Sequence, residues 1–150
     1  MAAFKFRLEA VLRLRQRFKE EKEWELRALN QAKHALEAAI AALEQELQTM
    51  DAAQGAAVGA VLSVIDLQLA SESSQRIDQR IKAKAAALTK LDAAIAGKRG
   101  ELVEALRGLK SLERLRERQA EKFRREQDGA EQKFTDEVAQ RKFVVGSSRK

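Results

Sequence analysis

The chain runs for 150 residues without a proline. At the usual frequency of about 5%, a chain of this length would carry roughly seven. Proline lacks the N–H that a helix interior uses, and its ring clashes with the carbonyl one turn back. Its absence therefore permits helix almost throughout. The apolar residues narrow the choice further, because they recur at alternating steps of three and four over most of the chain. That spacing draws a narrow apolar seam along one side of a helix, which suits a second helix rather than a pocket. The expected fold is all-α, a long antiparallel two-helix coiled-coil hairpin, and the expected role is mechanical or adhesive rather than catalytic.

Composition supports this. Six Phe, one Trp and no Tyr are too few bulky side chains for a thick core, and much of the apolar content is alanine. No cysteine is present, which excludes disulfides and thiolate metal sites. Residues 1–12 contain no unbroken apolar core of a secretory signal. The most apolar stretch, residues 52–70, is interrupted by Gln54, Ser63, Asp66 and Gln68. It falls short of the ~20 apolar residues of a membrane span. A soluble cytoplasmic protein without cofactor or metal is expected. The net charge of +6 is unevenly placed. Lys5, Arg7, Arg13, Arg15, Arg17 and Lys19 stand against Glu9 alone in residues 1–19, and Arg149 and Lys150 close the chain. Such a basic end attracts an acidic protein surface, nucleic acid or anionic lipid.

One coiled-coil domain is expected across 1–150: helix one at about 4–50, a turn region at 51–74, helix two at 75–143 and a loose tail at 144–150. The first seam reads Leu26, Leu29, Lys33, Leu36, Ile40, Leu43, Leu47, Met50. Upstream, Phe4, Leu8, Val11 and Phe18 follow in a shifted phase, joined through Lys22 by two steps of four, the pattern of a stutter. Gly55, Gly59 and Ser63 mark the turn, and Ser71, Ser73 and Ser74 are candidate N-caps for helix two. A short apolar patch from Val61 to Leu69 lies between them and could form a small helix of its own. Helix two carries the series Ile81, Leu88, Ile95, Leu102, Leu109, Arg116, Phe123, Ala130 and its companion Ile77, Lys84, Leu91, Lys98, Ala105, Leu112, Gln119.

A turn near residue 62 pairs positions whose numbers sum to about 124, so Phe4 lies near Ala120. Residues 121–143 then overhang by about 30 Å at ~1.5 Å per residue. A helix end with nothing of its own to pack against is a candidate for insertion into a partner.

Isolated motifs add little. His34 has only Glu37 at useful helical spacing and is read as solvated. Trp24 is read as packing across the stutter, with exposed docking as the alternative. The segment from Ala96 to Gly100 lacks the first glycine and the final hydroxyl of a phosphate loop, having Asp92 and Arg99 in those places. The arginines carry more. Arg13 and Arg17 lie one turn apart, and Arg114, Arg118, Lys122 and Arg125 form a ridge that the hairpin register brings to the same end. A solvated face laced with local ion pairs is the plain alternative to a docking surface there.

Residues 4–15, Phe-Lys-Phe-Arg-Leu-Glu-Ala-Val-Leu-Arg-Leu-Arg, resemble the opening of the FliJ family, coiled-coil components of the bacterial flagellar export apparatus. The run from Leu112 to Arg118, continuing through Phe123, Arg124, Arg125, Glu126 and on to Phe134 and Phe143, resembles its second helix. The resemblance implies a non-enzymatic antiparallel coiled coil, similar to the stalk of rotary ATP synthases. It implies partners too: a hexameric export ATPase (FliI-like), an export gate protein (FlhA-like) and export chaperones. No nucleic acid is expected, and the site is the cytoplasmic face of the inner membrane near the basal body. Carried onto this chain, the ATPase would meet Phe4, Arg7, Leu8, Arg13, Arg17, Arg114, Arg118, Phe123, Arg124, Arg125, Phe134 and Arg141. The gate would meet Leu62, Ile65, Leu67 and Leu69 at the turn.

Two other readings stand beside it. A nucleic-acid-binding coiled coil fits a basic segment before heptads, but Leu8, Val11, Leu12, Leu14 and Phe18 interrupt that segment. A membrane-surface helix at the N-terminus fits its basic amphipathic pattern.

Overall fold

The structure, a computed structural model, describes residues 2–57 and 63–148. They form α1 (Glu9–Ala57) and α2 (Val64–Ser147), with no strand among the described residues. The fold is all-α, a helical hairpin of two long packed helices. The chain divides into a middle unit, Glu20–Val103, and a terminal unit made of Met1–Lys19 with Glu104–Lys150.

Both helices intrude further into the expected turn region than its glycines and serines suggest. Asp51, Ala52, Ala53 and Gln54 continue α1 through Gly55, which keeps a negative φ, so the helix ends at Ala57 rather than near Met50. Helix two begins at Val64 rather than near residue 75. Its cap is Ser63. The Asp66 N–H donates to Ser63 Oγ at 3.2 Å, and the Ser63 hydroxyl donates to the Asp66 carboxylate at 2.8 Å. The first bond satisfies the orphan Asp66 N–H as an N-cap does, the second fixes the Ser63 hydroxyl in place, and Asp66 also suits the positive helix end. The proposed caps Ser71, Ser73 and Ser74 therefore lie inside α2. The apolar patch is not a separate helix: Val64, Ile65, Leu67 and Leu69 form the first turns of α2, while Gly59, Val61 and Leu62 lie outside the described residues.

The middle unit shows the expected register. Leu26, Leu29, Lys33, Leu36, Ile40, Leu43, Leu47 and Met50 are all half-buried on α1. Ile77 and Ile95 are buried opposite, with Ile81, Lys84, Leu88, Leu91, Lys98 and Leu102 half-buried. Cross-helix ion pairs confirm antiparallel pairing near a sum of 124: Lys33 to Asp92 at 2.9 Å, Lys98 to Glu25 at 2.8 Å and Lys22 to Glu101 at 3.1 Å. Lysines occupy seam positions because their stems cover apolar surface while their ammonium groups reach acids at the rim.

Lys22, Glu25, Lys98 and Glu101 close into one network, with Lys22–Glu25 at 3.4 Å and Lys98–Glu101 at 3.2 Å completing it. The Lys98 hydrogen bond holds the Glu25 carboxyl below its ordinary 4.5, and the Lys22 hydrogen bond does the same for Glu101. Glu25 raises Lys98, and Asp92 raises Lys33, above the ordinary 10.5. Depressed carboxylates stabilise the fold above their unfolded value and lose that contribution as pH falls through the folded one. Raised lysines stabilise it below their unfolded value and lose that contribution as pH rises through the folded one.

Three further expectations fail, two of them in the terminal unit and the third in the middle unit. Helix one starts at Glu9, not near residue 4, and residues 2–6 are not helical. Continuing the helix back would set Lys5 and Arg7 at its positive end, whereas the present start sets Glu9 there. An extended chain gains ~3.3 Å per residue against ~1.5 Å in a helix. The short N-terminal segment therefore reaches far along α2: Phe4 stacks on Phe123 with ring centroids 5.7 Å apart, and Ala2 shares a cleft with Gln127 and Glu131. The overhang thus begins beyond Glu131 instead of at 121. At the other end, α2 runs to Ser147, so residues 144–147 are helix rather than loose tail.

The second departure is the stutter, which does not exist. Leu8, Leu12, Lys19 and Lys22 are buried or half-buried, while Val11 and Phe18 are exposed. Stepping through Arg15, the alternation of four and three is unbroken from Leu8 to Met50. A seam must stay in step on both helices, and Ala105, Leu109 and Leu112 keep heptad spacing on α2. Arg15 fits because its guanidinium lies across Gly108, where a Cβ would come 2.6 Å from Nη1.

The third is Trp24. It is 69% exposed, since it stands two residues from both Lys22 and Leu26 and so points away from the seam. With Phe6, Leu12 and Leu109 buried and Phe4, Leu8, Leu112 and Leu115 packed around them, the terminal core is small.

Three measurements test this account. Leu109→Ala should lower the unfolding free energy by about 2–3 kcal/mol in denaturant titration, from lost burial plus a residual cavity. Gly97→Ala should raise it by about 1 kcal/mol, because nothing lies within 4 Å of the added methyl and alanine favours helix. The thermal midpoint should be flat through neutral pH and fall on acidification below 4.5, and Glu25→Gln with Glu101→Gln should flatten that acid limb.

Candidate docking surface

Charge is divided between the two units. Residues 1–19 and 104–150 hold 19 Lys and Arg against 10 Asp and Glu, whereas 20–103 hold 10 against 13. The whole positive excess belongs to the terminal unit. A surface of this kind raises the local concentration of an anionic partner and speeds its encounter.

The twelve terminal residues picked out from the sequence all fall in this unit. They do not behave alike. Phe4, Leu8 and Phe123 are half-buried, spent on the small core and the aromatic pair. Arg7, Arg13, Arg17, Arg114, Arg118, Arg124, Arg125 and Arg141 are exposed, as is Phe134. Arg118 donates from Nε to the Arg114 carbonyl at 3.4 Å, a long contact, and Arg125 pairs with Glu121 at 2.5 Å. An exposed arginine array can take carboxylates or phosphates in forked, bidentate geometry.

Sequence reasoning missed other residues here. Arg116, in the seam series, reaches Glu9 at 3.3 Å and ties α1 to α2. Val11, Leu14 and Phe18 form an exposed apolar stripe on α1. The signal for that stripe was present: extending the Leu26 register backward without a stutter leaves all three off the seam.

In the middle unit, Ile65, Leu67 and Leu69 are exposed on the first turns of α2. Leu62, the fourth residue of that group, lies outside the described residues. Among the described residues no cluster of three or more His, Cys, Asp or Glu side chains could hold a metal, and no helix is long and apolar enough to cross a membrane. His34 is exposed, 3.6 Å from Glu37.

A family model described as FliJ, flagellar FliJ protein, matches residues 4–148. The chain belongs to the FliJ family. It is accordingly a component of the flagellar protein export apparatus, in a family whose members are non-catalytic. The match takes in both the N-terminal segment and the C-terminal reach of α2. No curated protein and no solved structure matches the chain. FliJ membership turns attention from chemistry to the exposed surfaces of the two helices, which are all that this fold offers a partner.

Proposed function

We propose that this FliJ-family chain is a coiled-coil stalk that binds and stimulates the hexameric export ATPase through its terminal unit. The observation that carries the reading is the concentration of exposed arginine beside exposed Phe134 in the unit that holds the entire positive excess. In this mechanism the end of α2 enters an acidic ring opening, and Arg114, Arg118 and Arg125 bias contacts between ATPase subunits. Phe4, Leu8 and Phe123 act indirectly, by holding the N-terminal segment against α2. The apolar start of α2, at Ile65, Leu67 and Leu69, meets the export gate protein, and export chaperones are handed on from the same apparatus. The chain then works peripherally, at the cytoplasmic face of the inner membrane.

Changing Arg114, Arg118 and Arg125 together to Ala tests the mechanism. All three are exposed, and the Arg125–Glu121 ion pair is local to α2, so circular dichroism should show unchanged helicity. Stimulation of the export ATPase should be abolished. Stimulation equal to the wild type would overturn the reading.

A further inference from the structure

In the terminal unit, Lys110, Arg114, Arg118 and Lys122 repeat every four residues along α2, and all four are exposed. At ~1.5 Å per residue they form one row about 18 Å long, with neighbours about 6 Å apart. Like charges at this spacing repel and weaken a helix. Elsewhere the chain sets opposite charges four residues apart, as in Lys33–Glu37, Asp78–Lys82 and Glu121–Arg125. Here it does not. Among the described residues none of the four cations makes an ion pair, and Arg118 bonds only the Arg114 carbonyl. Arg107 and Arg125, beside the row, are paired with Glu104 and Glu121. Glu113, Glu117 and Glu121 form a second row along one border, three residues on from the first three cations. A bilayer or a nucleic-acid duplex is broader than the basic row, so its phosphates would press on these acids as well. A single ridge of carboxylates would not. Acids at every fourth position of a helix make such a ridge, and ridges of this pitch lie along one another when helices pack.

We propose that this row is the seat of an acidic helix of the export ATPase, one that carries Asp or Glu at every fourth position. The inference rests on the ATPase reading and gives that partner its chemistry. Arg114 and Arg118 hold carboxylates in forked geometry. Lys110 and Lys122, which the sequence did not single out for this role, clamp the two ends as point charges. Glu113 and Glu117 fix the lateral position of the partner helix, since a shift toward them brings like charges together. The repulsion along the row is present in the free chain and is relieved when the carboxylates arrive, so the row favours the bound state.

Two variants that remove the same charge from the same unit separate the row from a general positive field. Lys110→Ala with Lys122→Ala should weaken binding to the export ATPase by about tenfold or more. Arg107→Ala with Lys133→Ala, two exposed cations outside the row, should weaken it by less than about threefold. Equal losses would overturn the proposal. The thermal midpoint of the Lys110→Ala, Lys122→Ala chain should hold or rise, because repulsion along the row is relieved. A fall would mean that the row is already satisfied within the chain, and would also overturn it. The chemistry of the partner is tested without the ATPase. A designed helical peptide with glutamates at four successive i, i+4 positions should bind the full chain at least about tenfold more tightly than an isomer whose glutamates are spread around the helix. Equal affinity for the two peptides would overturn the proposal, as would binding to phosphatidylglycerol vesicles or duplex DNA that only the Lys110→Ala, Lys122→Ala chain loses. A chain that prefers the aligned peptide yet does not bind the ATPase would overturn the ATPase reading and leave the chemistry of the row standing.

Discussion

Everything in this structure depends on a single register kept by two helices for most of their length. Among the described residues six side chains are buried: Phe6, Leu12, Ile77, Ile95, Ala105 and Leu109. A seam that thin supplies little burial per turn, so slipping by one heptad would exchange one set of half-buried leucines for another at small cost. What distinguishes the native register is its polar content. Lys33 finds Asp92, and Lys22 and Lys98 find Glu101 and Glu25, only when residue numbers sum to about 124. Surface ion pairs stabilise weakly, but here their value lies in choosing among alignments. Arg15 over Gly108 and Glu9 to Arg116 choose the same alignment in the terminal unit.

The separation of charge gives the two units different prospects. The middle unit pairs Lys22, Lys33 and Lys98 with Glu101, Asp92 and Glu25 across the seam. The terminal unit leaves Arg13, Arg17, Arg114, Arg124 and Arg141 in solvent. A helix pair has no interior to exclude water, so its chemistry toward a partner must be carried by such an outer face. These exposed arginines and the whole positive excess lie in one unit of a chain that belongs to the FliJ family.

The fold class and the middle register were legible because α-helical periodicity is read directly from leucine spacing. The errors have a common cause in residues whose side chains are ambiguous between two environments. Lys19 and Lys22 hid the unbroken seam, since lysine at a core position looks like an interruption until its acidic neighbours are placed. Val11 and Phe18 then drew the register toward a stutter. Ser71, Ser73 and Ser74 resemble caps, but the decisive cap was a lone Ser63 with Asp66 three residues on. The N-terminal segment looked helical by its apolar content, although its positive charge opposes a helix start there. At the candidate site, the arginines were visible as types and clusters. The division between exposed arginines and core-bound Phe4, Leu8 and Phe123 required the packing.

The small core that joins the ends of the chain has a temporal consequence. Leu12 is made early and Leu109 late, and neither Phe6 nor Leu12 has its buried partner until α2 has been synthesised past it. Closing a loop of that length before any reward costs entropy, whereas pairing outward from the turn adds contacts between segments already brought near. Closure outward from the turn is therefore the order that costs least entropy. A chain cut short of Leu109 leaves Phe6 and Leu12 without their buried partner.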